Sequence, residues 1–499
     1  MAIKVTKRKT WTAPEVVTAS KLNDTGTPVV TDYDVATIAL ARSQSYASAS
    51  TGDQFNVAGY YATGDGGGGQ FYVDKADTTT ADNGCTVIVA SDGTRLKRPA
   101  TTEINVKMAG AKGDFSIDDY ASISSVITIF TAQGGTVYLP AGRYKTTQTI
   151  YLPSGVNIRG DGYQRPVPTA SWEGTTSICG VHTGPAVLSL KGANGCKVYD
   201  LSLEGDQSVT PKTGLCLGRS SAASAGFMSI TRIGVFGYFT QAAIYGIATE
   251  ENVWNDVYVW LFGGGAKHCF YTSPKDLLAV DSLVQSTNLS NHLSKITLIN
   301  SVNDVNATCI YMEVGQSMGS WTFNGAYLIP YAGSYIKMNF GTVDGTATPL
   351  GPFTFMGVSG ERLTGGDPTY GVNLTAAAVV LVPGLNILGS RFDLVAGAGN
   401  YTISQNASLT LISPNIVMQP AEAFPYALDS LIRSQILGGI VSTGRGAQWT
   451  TATLAGSWVG TYGSPYAVPG YCIDCNGVVS LRGVVQGGTG TILTLPVGY

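Results

Sequence analysis

Charge is scarce in this chain, with 30 Lys and Arg against 33 Asp and Glu in 499 residues. Acidic side chains that recur at a fixed offset therefore stand out. A five-residue phrase (apolar, small or polar, apolar, any residue, then Gly, Asn or Ser) returns at Trp321–Gly325, Phe353–Gly357 and Leu385–Gly389. Ile296–Asn300 and Leu409–Ser413 keep the pattern, and looser copies begin at Val198, Met228 and Asn252. Counting eight residues from the start of each copy gives Asp206, Phe236, Trp260, Asp304, Ile329, Glu361, Asp393 and Val417. If the copies stack, these positions form a ladder with rungs about 4.8 Å apart. Glu361 and Asp393 then fall on neighbouring coils, near the roughly 5–5.5 Å separation of a retaining glycosidase pair. Arg362 and Arg391 stand beside them and would hold one carboxylate ionised. The plain alternative is that acids on an outer bend are solvated, and that turns of unequal length break the register.

A second group is Glu250, Glu251 and Asp256, followed by Trp260 and Phe262. Carboxylates beside aromatic faces suit a sugar groove, because rings stack on pyranoses while acids take hydroxyls or donate protons. Against this, alternate aromatics in a strand commonly fill a core. Glu204 and Asp206 form a third group. The three histidines, His182, His268 and His292, sit in no metal or triad motif. Acidic residues do not cluster as calcium ligands would. No metal and no cofactor is expected. The eight cysteines are scattered and read as small buried hydrophobes, including the Cys472/Cys475 pair, which has no second pair to complete a zinc site.

The elements that must carry these residues follow from the phrase itself. Each copy alternates like a short strand and turns at a small residue, at steps of roughly 24 to 32 residues with one of about 44, the range of stacked repeats. One such strand cannot bury its inward side chains alone; stacked on its neighbours it can. The fold expected is an all-β solenoid. Residues 1–103 read as a separate small region, with a short helix within Asp32–Ser50, a turn-forming run at Gly66–Gly69 and a hairpin turn at Asp92-Gly93. Residues 104–444 read as the solenoid. In 445–499 the rhythm fades, and Gly, Pro and aromatics suggest a small β module. A net charge of -3 gives no electrostatic case for nucleic acid as partner. No apolar run approaches the roughly 20 residues of a membrane span, and the basic N-terminus lacks the apolar stretch of a secretory signal.

Several stretches resemble phage tail proteins. Trp11-Thr12, Val17-Thr18-Ala19-Ser20 and Leu22-Asn23 resemble the opening of many phage fibre proteins. Gly59-Tyr60-Tyr61 and Gly64-Asp65-Gly66-Gly67-Gly68 resemble the particle-proximal segment of phage spikes. Gly110-Ala111-Lys112-Gly113-Asp114, Asp118-Asp119 and Gly134-Gly135-Thr136-Val137-Tyr138-Leu139-Pro140-Ala141-Gly142-Arg143-Tyr144 resemble the entrance of the pectate-lyase-like, right-handed parallel β-helix of phage tailspikes and polygalacturonase-related proteins. Two positions depart from that pattern: Phe115 stands where the family has Gly, and Tyr120 where it has Thr. Asp118 and Asp119 would cap the short helix that plugs the end. The resemblance implies a virion spike or tail fibre assembled in the host cytoplasm and built as a homotrimer. Its N-terminal region would join other virion proteins and its shaft would meet a host surface polysaccharide. It leaves two activities open, depolymerase or non-enzymatic receptor-binding fibre.

Overall fold

The computed structural model describes residues 2–5, 31–164, 174–218, 226–247, 249–274, 288–315, 318–340, 351–376, 380–392, 401–405, 409–412, 415–418, 436–437, 440–442, 450–460, 468–473 and 479–495. The first sheet has six strands in the order Ala2–Val5, Thr31–Thr37, Gln54–Gly59, Gly69–Asp74, Arg95–Lys97 and Val87–Val89. Its alternation is plain in the sequence: Phe55, Val57, Phe71, Val73, Ile88 and Leu96 point inward and are buried. They pack with Ile38 and Ala41 of a short helix, Ile38–Ser43. The helix expected within Asp32–Ser50 is thus only these six residues. Thr31–Thr37 is a strand instead, and Thr37 caps the helix by accepting from the Leu40 N–H at 3.2 Å.

The glycine run is a turn wrapped around one carboxylate. Asp65 accepts from the N–H groups of Tyr60, Tyr61, Ala62 and Gly67 at 2.7–3.0 Å. Partial burial pushes its carboxyl up, but the backbone donors outweigh that and hold it below the ordinary range. The Asp92-Gly93 turn joins Val87–Val89 to Arg95–Lys97, as the dipeptide predicts.

From Glu103 onward the strands become parallel and the chain winds into a β-helix. One face is a nine-stranded sheet, with members Ile150–Tyr151, Leu188–Lys191, Thr213–Gly218, Ala242–Ile247, His268–Ser273, Thr308–Val314, Ser334–Phe340, Tyr370–Ala376 and Tyr401–Gln405. Most of the other strands form a 17-stranded sheet that bends along its length. The bend is a backbone corner in the left-handed region, at Asp200, Arg232, Asp256, Lys295, Gly325, Gly357 and Gly389, with φ between 51° and 66°. The strands beside it are in register from coil to coil: Tyr199, Thr231, Asn255, Ser294, Asn324, Met356 and Leu388 form one row.

The recurring phrase is therefore a four-residue strand followed by the corner, and its final Gly is the corner itself. Copies starting at Met228 and Asn252 are in phase. The repeating unit upstream starts at Cys196, not Val198. The equivalent of Trp321–Gly325 one coil earlier is Asn291–Lys295, not Ile296–Asn300. Leu409–Ile412 belongs to a third face with Val380–Pro383 and Ile436–Leu437. Corner to corner the chain runs 32, 24, 39, 30, 32 and 32 residues, so an offset counted along the sequence drifts.

Inside the helix, Val198, Ile230, Trp254, Leu293, Phe323, Phe355 and Ile387 stack in one buried row. The Phe323 and Phe355 rings lie 5.0 Å apart and nearly parallel. Each such side chain contributes roughly 1.5–3 kcal/mol through burial. Asn252 and Asn291 are also buried, and their amides bond to each other at 2.9 Å while tying Met228 N–H and the Thr249 carbonyl. The open end is closed by the helix Tyr120–Phe130, which buries Ile123, Val126, Ile127 and Phe130.

Asp119 precedes that helix but does not cap it with its side chain. It turns back to accept from Lys112 N–H and Gly113 N–H at 2.7 and 3.0 Å, while Asp118 accepts from Tyr120 N–H at 3.1 Å. Phe115 keeps the left-handed conformation that Gly would adopt (φ 62°) and slides its ring under the Arg143 guanidinium, 3.6 Å away. That cation–π contact offsets part of the strain. Past the helix, Thr450–Thr451, Gly470–Ile473 and Val479–Arg482 pair antiparallel. The six cysteines Cys85, Cys179, Cys196, Cys216, Cys269 and Cys309 are buried free thiols; Cys475 lies outside the described residues. No described helix is long and apolar enough to cross a membrane.

Candidate functional site

The corner geometry decides where each acidic side chain goes. Glu250 bridges to Gly226, and Glu251 is exposed at a first left-handed corner with φ 51°. Four residues of strand then lead to Asp256 at the second corner. Trp260 lies four residues further along the strand Val253–Gly263, roughly 13 Å away at the usual rise per residue. The group is strung along the surface rather than gathered.

Asp256 accepts from the Tyr163 hydroxyl at 2.8 Å. Tyr163 belongs to a strap that crosses several coils. Gly162 N–H donates to the Asp200 carbonyl, and Gln164 N–H donates to Ser202 Oγ. Beside this strap Arg232 makes a two-point ion pair with Asp200 at 2.5 and 2.7 Å. Trp260 is half-buried, and its indole N–H donates to Ser301 Oγ at 2.9 Å. Its ring meets Phe262 edge-on at 5.4 Å, and Phe262 meets Tyr238 at 5.8 Å. Three half-buried rings on two adjacent coils make an aromatic shelf of the kind that stacks on sugars.

The acidic ladder changes composition once the true register is used. Trp260 stands between Phe236 and Ile299, and the same row holds Glu204 upstream and Ile329 downstream. Asp206 and Asp304 fall outside it, because the coils differ in length. Asp206 accepts from Ser208 and Val209 N–H groups in a turn, and Asp304 pairs with Lys267 at 2.7 Å. Glu204 is a structural anion: it is buried, takes two bonds from Arg143 at 2.8 and 2.5 Å, and accepts from Ser177 Oγ. Glu361 is exposed at the far end, with its N–H on the Leu328 carbonyl. Gly360, just before Glu361, is the register partner of Phe392 on the next coil. Asp393 itself lies outside the described residues. Arg362 is half-buried, and the Arg391 backbone pairs with Ser359.

A richer cluster occupies the outer side of the nine-stranded sheet. Tyr245, Tyr271, Tyr311 and Lys337 form one row across consecutive coils, and Glu313, Asn339 and Thr375 form another. Tyr245 and Tyr271 are buried; Tyr311, Glu313 and Lys337 are half-buried. His268 stacks on Tyr311 with centroids 4.4 Å apart and meets Thr308 Oγ at 2.9 Å. Lys337 Nζ sits 5.7 Å from the Tyr311 ring, and Ser273 Oγ donates to Glu313 at 2.8 Å. Burial, with Lys337 and Lys267 nearby, pushes the His268 imidazole down to about 3, so it is neutral near pH 7. Burial also lowers Lys337. Burial, and then the Glu313 charge, raises the Tyr271 and Tyr311 phenols. A carboxylate, a neutral imidazole, an ammonium and two phenols thus share one patch, with the imidazole and phenols pushed away from the range that suits proton transfer at neutral pH.

Reading the chain by its five-residue phrase missed this patch, although a second phrase spells it. Cys269-Phe270-Tyr271-Thr272-Ser273, Cys309-Ile310-Tyr311-Met312-Glu313 and Tyr335-Ile336-Lys337-Met338-Asn339 share one in–out alternation. Their second places, Phe270, Ile310 and Ile336, join the buried core, while the third places, Tyr271, Tyr311 and Lys337, alternate to the other side of the sheet.

Comparison with known proteins places both parts. Residues 34–101 match the phage tail protein small four-stranded β-sheet domain. Residues 103–185 match the rhamnogalacturonase A/epimerase, pectate lyase-like family. Among curated proteins, a glucan 1,3-β-glucosidase of Cochliobolus carbonum is 25% identical over 328 residues, covering 62% of this chain and 38% of that protein. The mannuronan C5-epimerase AlgE4 of Azotobacter vinelandii is 43% identical over 68 residues, 12% of each chain. The chain thus spans well under two thirds of the curated relatives it matches. Among solved structures, the enzymatically active domain of bacteriophage CBA120 tailspike protein 2 superposes with a TM-score of 0.50 at 13% identity, covering 90% of this chain and 68% of that one. The chain is phage-tail-like at its front and a pectate-lyase-like, right-handed parallel β-helix behind it.

Proposed function

We propose that this chain is a phage virion spike or tail fibre whose β-helix recognises a polysaccharide on the bacterial surface. One observation carries the reading. A match to a phage tail domain ends at residue 101, and a match to a polysaccharide-enzyme-type helix begins at 103, in the same chain. Such a join suits an adaptor to the particle fused to a glycan reader. In this reading residues 1–103 attach to other virion proteins, 104–444 form the shaft and 445–499 a terminal β module. The protein assembles in the host cytoplasm, which suits its buried free thiols. It works as a homotrimer, since a solenoid flank with exposed Phe227 and Val253 gains from a partner. Light scattering on the purified protein tests this: a mass near three times 52.1 kDa supports it, and a monomer rejects it.

Glycan contact is assigned to the aromatic shelf around Trp260, with Glu250, Glu251, Asp256, Arg362 and Arg391 as further contacts. Binding of capsular polysaccharide or lipopolysaccharide, measured by calorimetry, tests it. Removing the shelf with W260A and F262A together should weaken binding about tenfold or more; unchanged affinity rejects the shelf.

A second reading, cleavage, is favoured by the exposure of Glu361 just after Gly360, the register partner of Phe392 on the next coil. In this reading Glu361 and Asp393 act by double displacement, one as nucleophile and one as acid and base. Release of reducing ends that disappears in E361Q and D393N supports it. Binding without any new ends leaves the protein a non-enzymatic receptor-binding fibre.

A further inference from the structure

Among the described residues, Cys269 and Cys309 are a pair of cysteines stacked on consecutive coils. His268 pairs with Thr308 and Phe270 with Ile310, so the residues between them face each other across one rung. Adjacent strands lie about 4.8 Å apart, inside the roughly 4.4–6.8 Å that separates Cα atoms joined by a disulfide. Both side chains are fully buried in the core of the helix. Their thiols also converge on one stretch of backbone. Cys269 Sγ donates to the Ile299 carbonyl at 3.2 Å, and Cys309 Sγ donates to the Leu298 carbonyl at 3.4 Å. Burial, and then the Cys309 thiol beside it, raises the Cys269 thiol well above its ordinary range. A thiol held protonated reacts slowly, so the pair survives folding in the reduced form.

The other described cysteines of the helix stack on different residue types. Cys179 lies between Lys145 and Glu204, Cys216 between Ser189 and Tyr245, and Cys196 has Met228 on the next coil. The Cys269/Cys309 pair also spans the longest coil, which runs 39 residues from the corner at Asp256 to the corner at Lys295. A bond there would tie that coil to its successor, and closing a long loop restricts the unfolded chain most.

We infer that Cys269 and Cys309 are an oxidisable staple, reduced while the chain folds and closed to a disulfide between coils once peroxide reaches them. One thiolate takes an oxygen from hydrogen peroxide, giving a sulfenic acid and hydroxide; the second thiolate then displaces hydroxide from that sulfur. The two hydroxides take up the two thiol protons. Two thiols and one peroxide thus give one disulfide and two waters, with two electrons passing from sulfur to oxygen. Hydrogen peroxide is neutral and little larger than water, so it reaches a core thiol through local openings that exclude bulkier oxidants. Reduced thiols let the coils find their register in the cytoplasm, and the later bond holds that register outside it. The staple does not rest on the polysaccharide reading.

The test takes the full chain, purified reduced and freed of reductant, with and without hydrogen peroxide. Alkylation in denaturant followed by peptide mass mapping shows which thiols are lost and what they join. The expected result is a peptide linking Cys269 to Cys309 and the loss of those two thiols. The melting temperature should rise by a few degrees on oxidation and fall back with dithiothreitol. C269A and C309A should show no such rise, each variant being compared with itself before and after peroxide so that any cost of the substitution cancels. Both thiols still free after peroxide, a link that maps elsewhere, or a rise that persists in C309A overturns the staple. A Cys269–Cys309 link with an unchanged melting temperature also overturns it, because the bond would then hold nothing.

Discussion

The corner of the β-helix is built twice, with different residues. In four upstream coils it is Asp200, Arg232, Asp256 and Lys295; in three downstream coils it is Gly325, Gly357 and Gly389. The backbone does the same thing in both, with φ between 51° and 66°. A side chain there costs roughly 1–2 kcal/mol, so the stack dictates the corner and the residue accommodates it. The upstream half offsets the cost locally. Arg232 pairs with Asp200, and Asp256 takes the Tyr163 hydroxyl from the strap. Lys295 is exposed and has no such partner among the described residues. Strain retained on a surface marks a place where side chains are wanted, and the aromatic shelf lies just past these same corners.

The largest expected effect tests what the two halves share. F323A downstream should cost about 3–5 kcal/mol and I230A upstream about 2–5 kcal/mol, read from denaturation midpoints. A near-neutral result in either half would mean that its buried row is not the common scaffold.

Acid should act next. His268 is neutral in the folded chain because its pKa is pushed down to about 3, whereas an unfolded histidine titrates near 6.5. Protonation therefore favours the unfolded chain. Its contribution is fully present above about pH 6.5 and is lost as the pH falls from there toward 3. Melting temperature against pH checks this, and H268Q should flatten the slope in that window.

The corners then separate the halves. G357A meets no atom within 4 Å, so any loss reports conformation alone, about 1–2 kcal/mol. The reverse change upstream, K295G, should stabilise by about 0.5–1 kcal/mol, the relief of strain less the entropy of glycine. If K295G destabilises, Lys295 has a structural role that the comparison denies it. Smallest is R232A, which opens an exposed ion pair worth at most about 1 kcal/mol and should matter less in high salt.

The same contrast explains what could be read from the sequence. The downstream copies of the phrase are legible because the corner is spelled as glycine. Upstream, the corner is charged, so Asn291–Lys295 was hidden and the count slipped onto Ile296–Asn300. That slip moved Asp206 and Asp304 onto a row that Glu204 and Ile299 in fact occupy. The helix entrance was legible through Gly134–Tyr144, yet the job of Asp119 was not, since a carboxylate before a helix reaches a turn behind it as easily as the helix N–H groups. The Tyr311, Glu313 and Lys337 patch escaped because its residues are some 25 apart in sequence and meet only through the stacking of coils.

The central claim, that this helix reads a bacterial surface polysaccharide, is tested most directly by adsorption of the purified protein to host cells with and without that polysaccharide. Binding to the coated cells, none to an isogenic strain lacking the polymer, and loss of binding in the W260A/F262A protein is the expected result. Equal binding to both strains, or to neither, would contradict it.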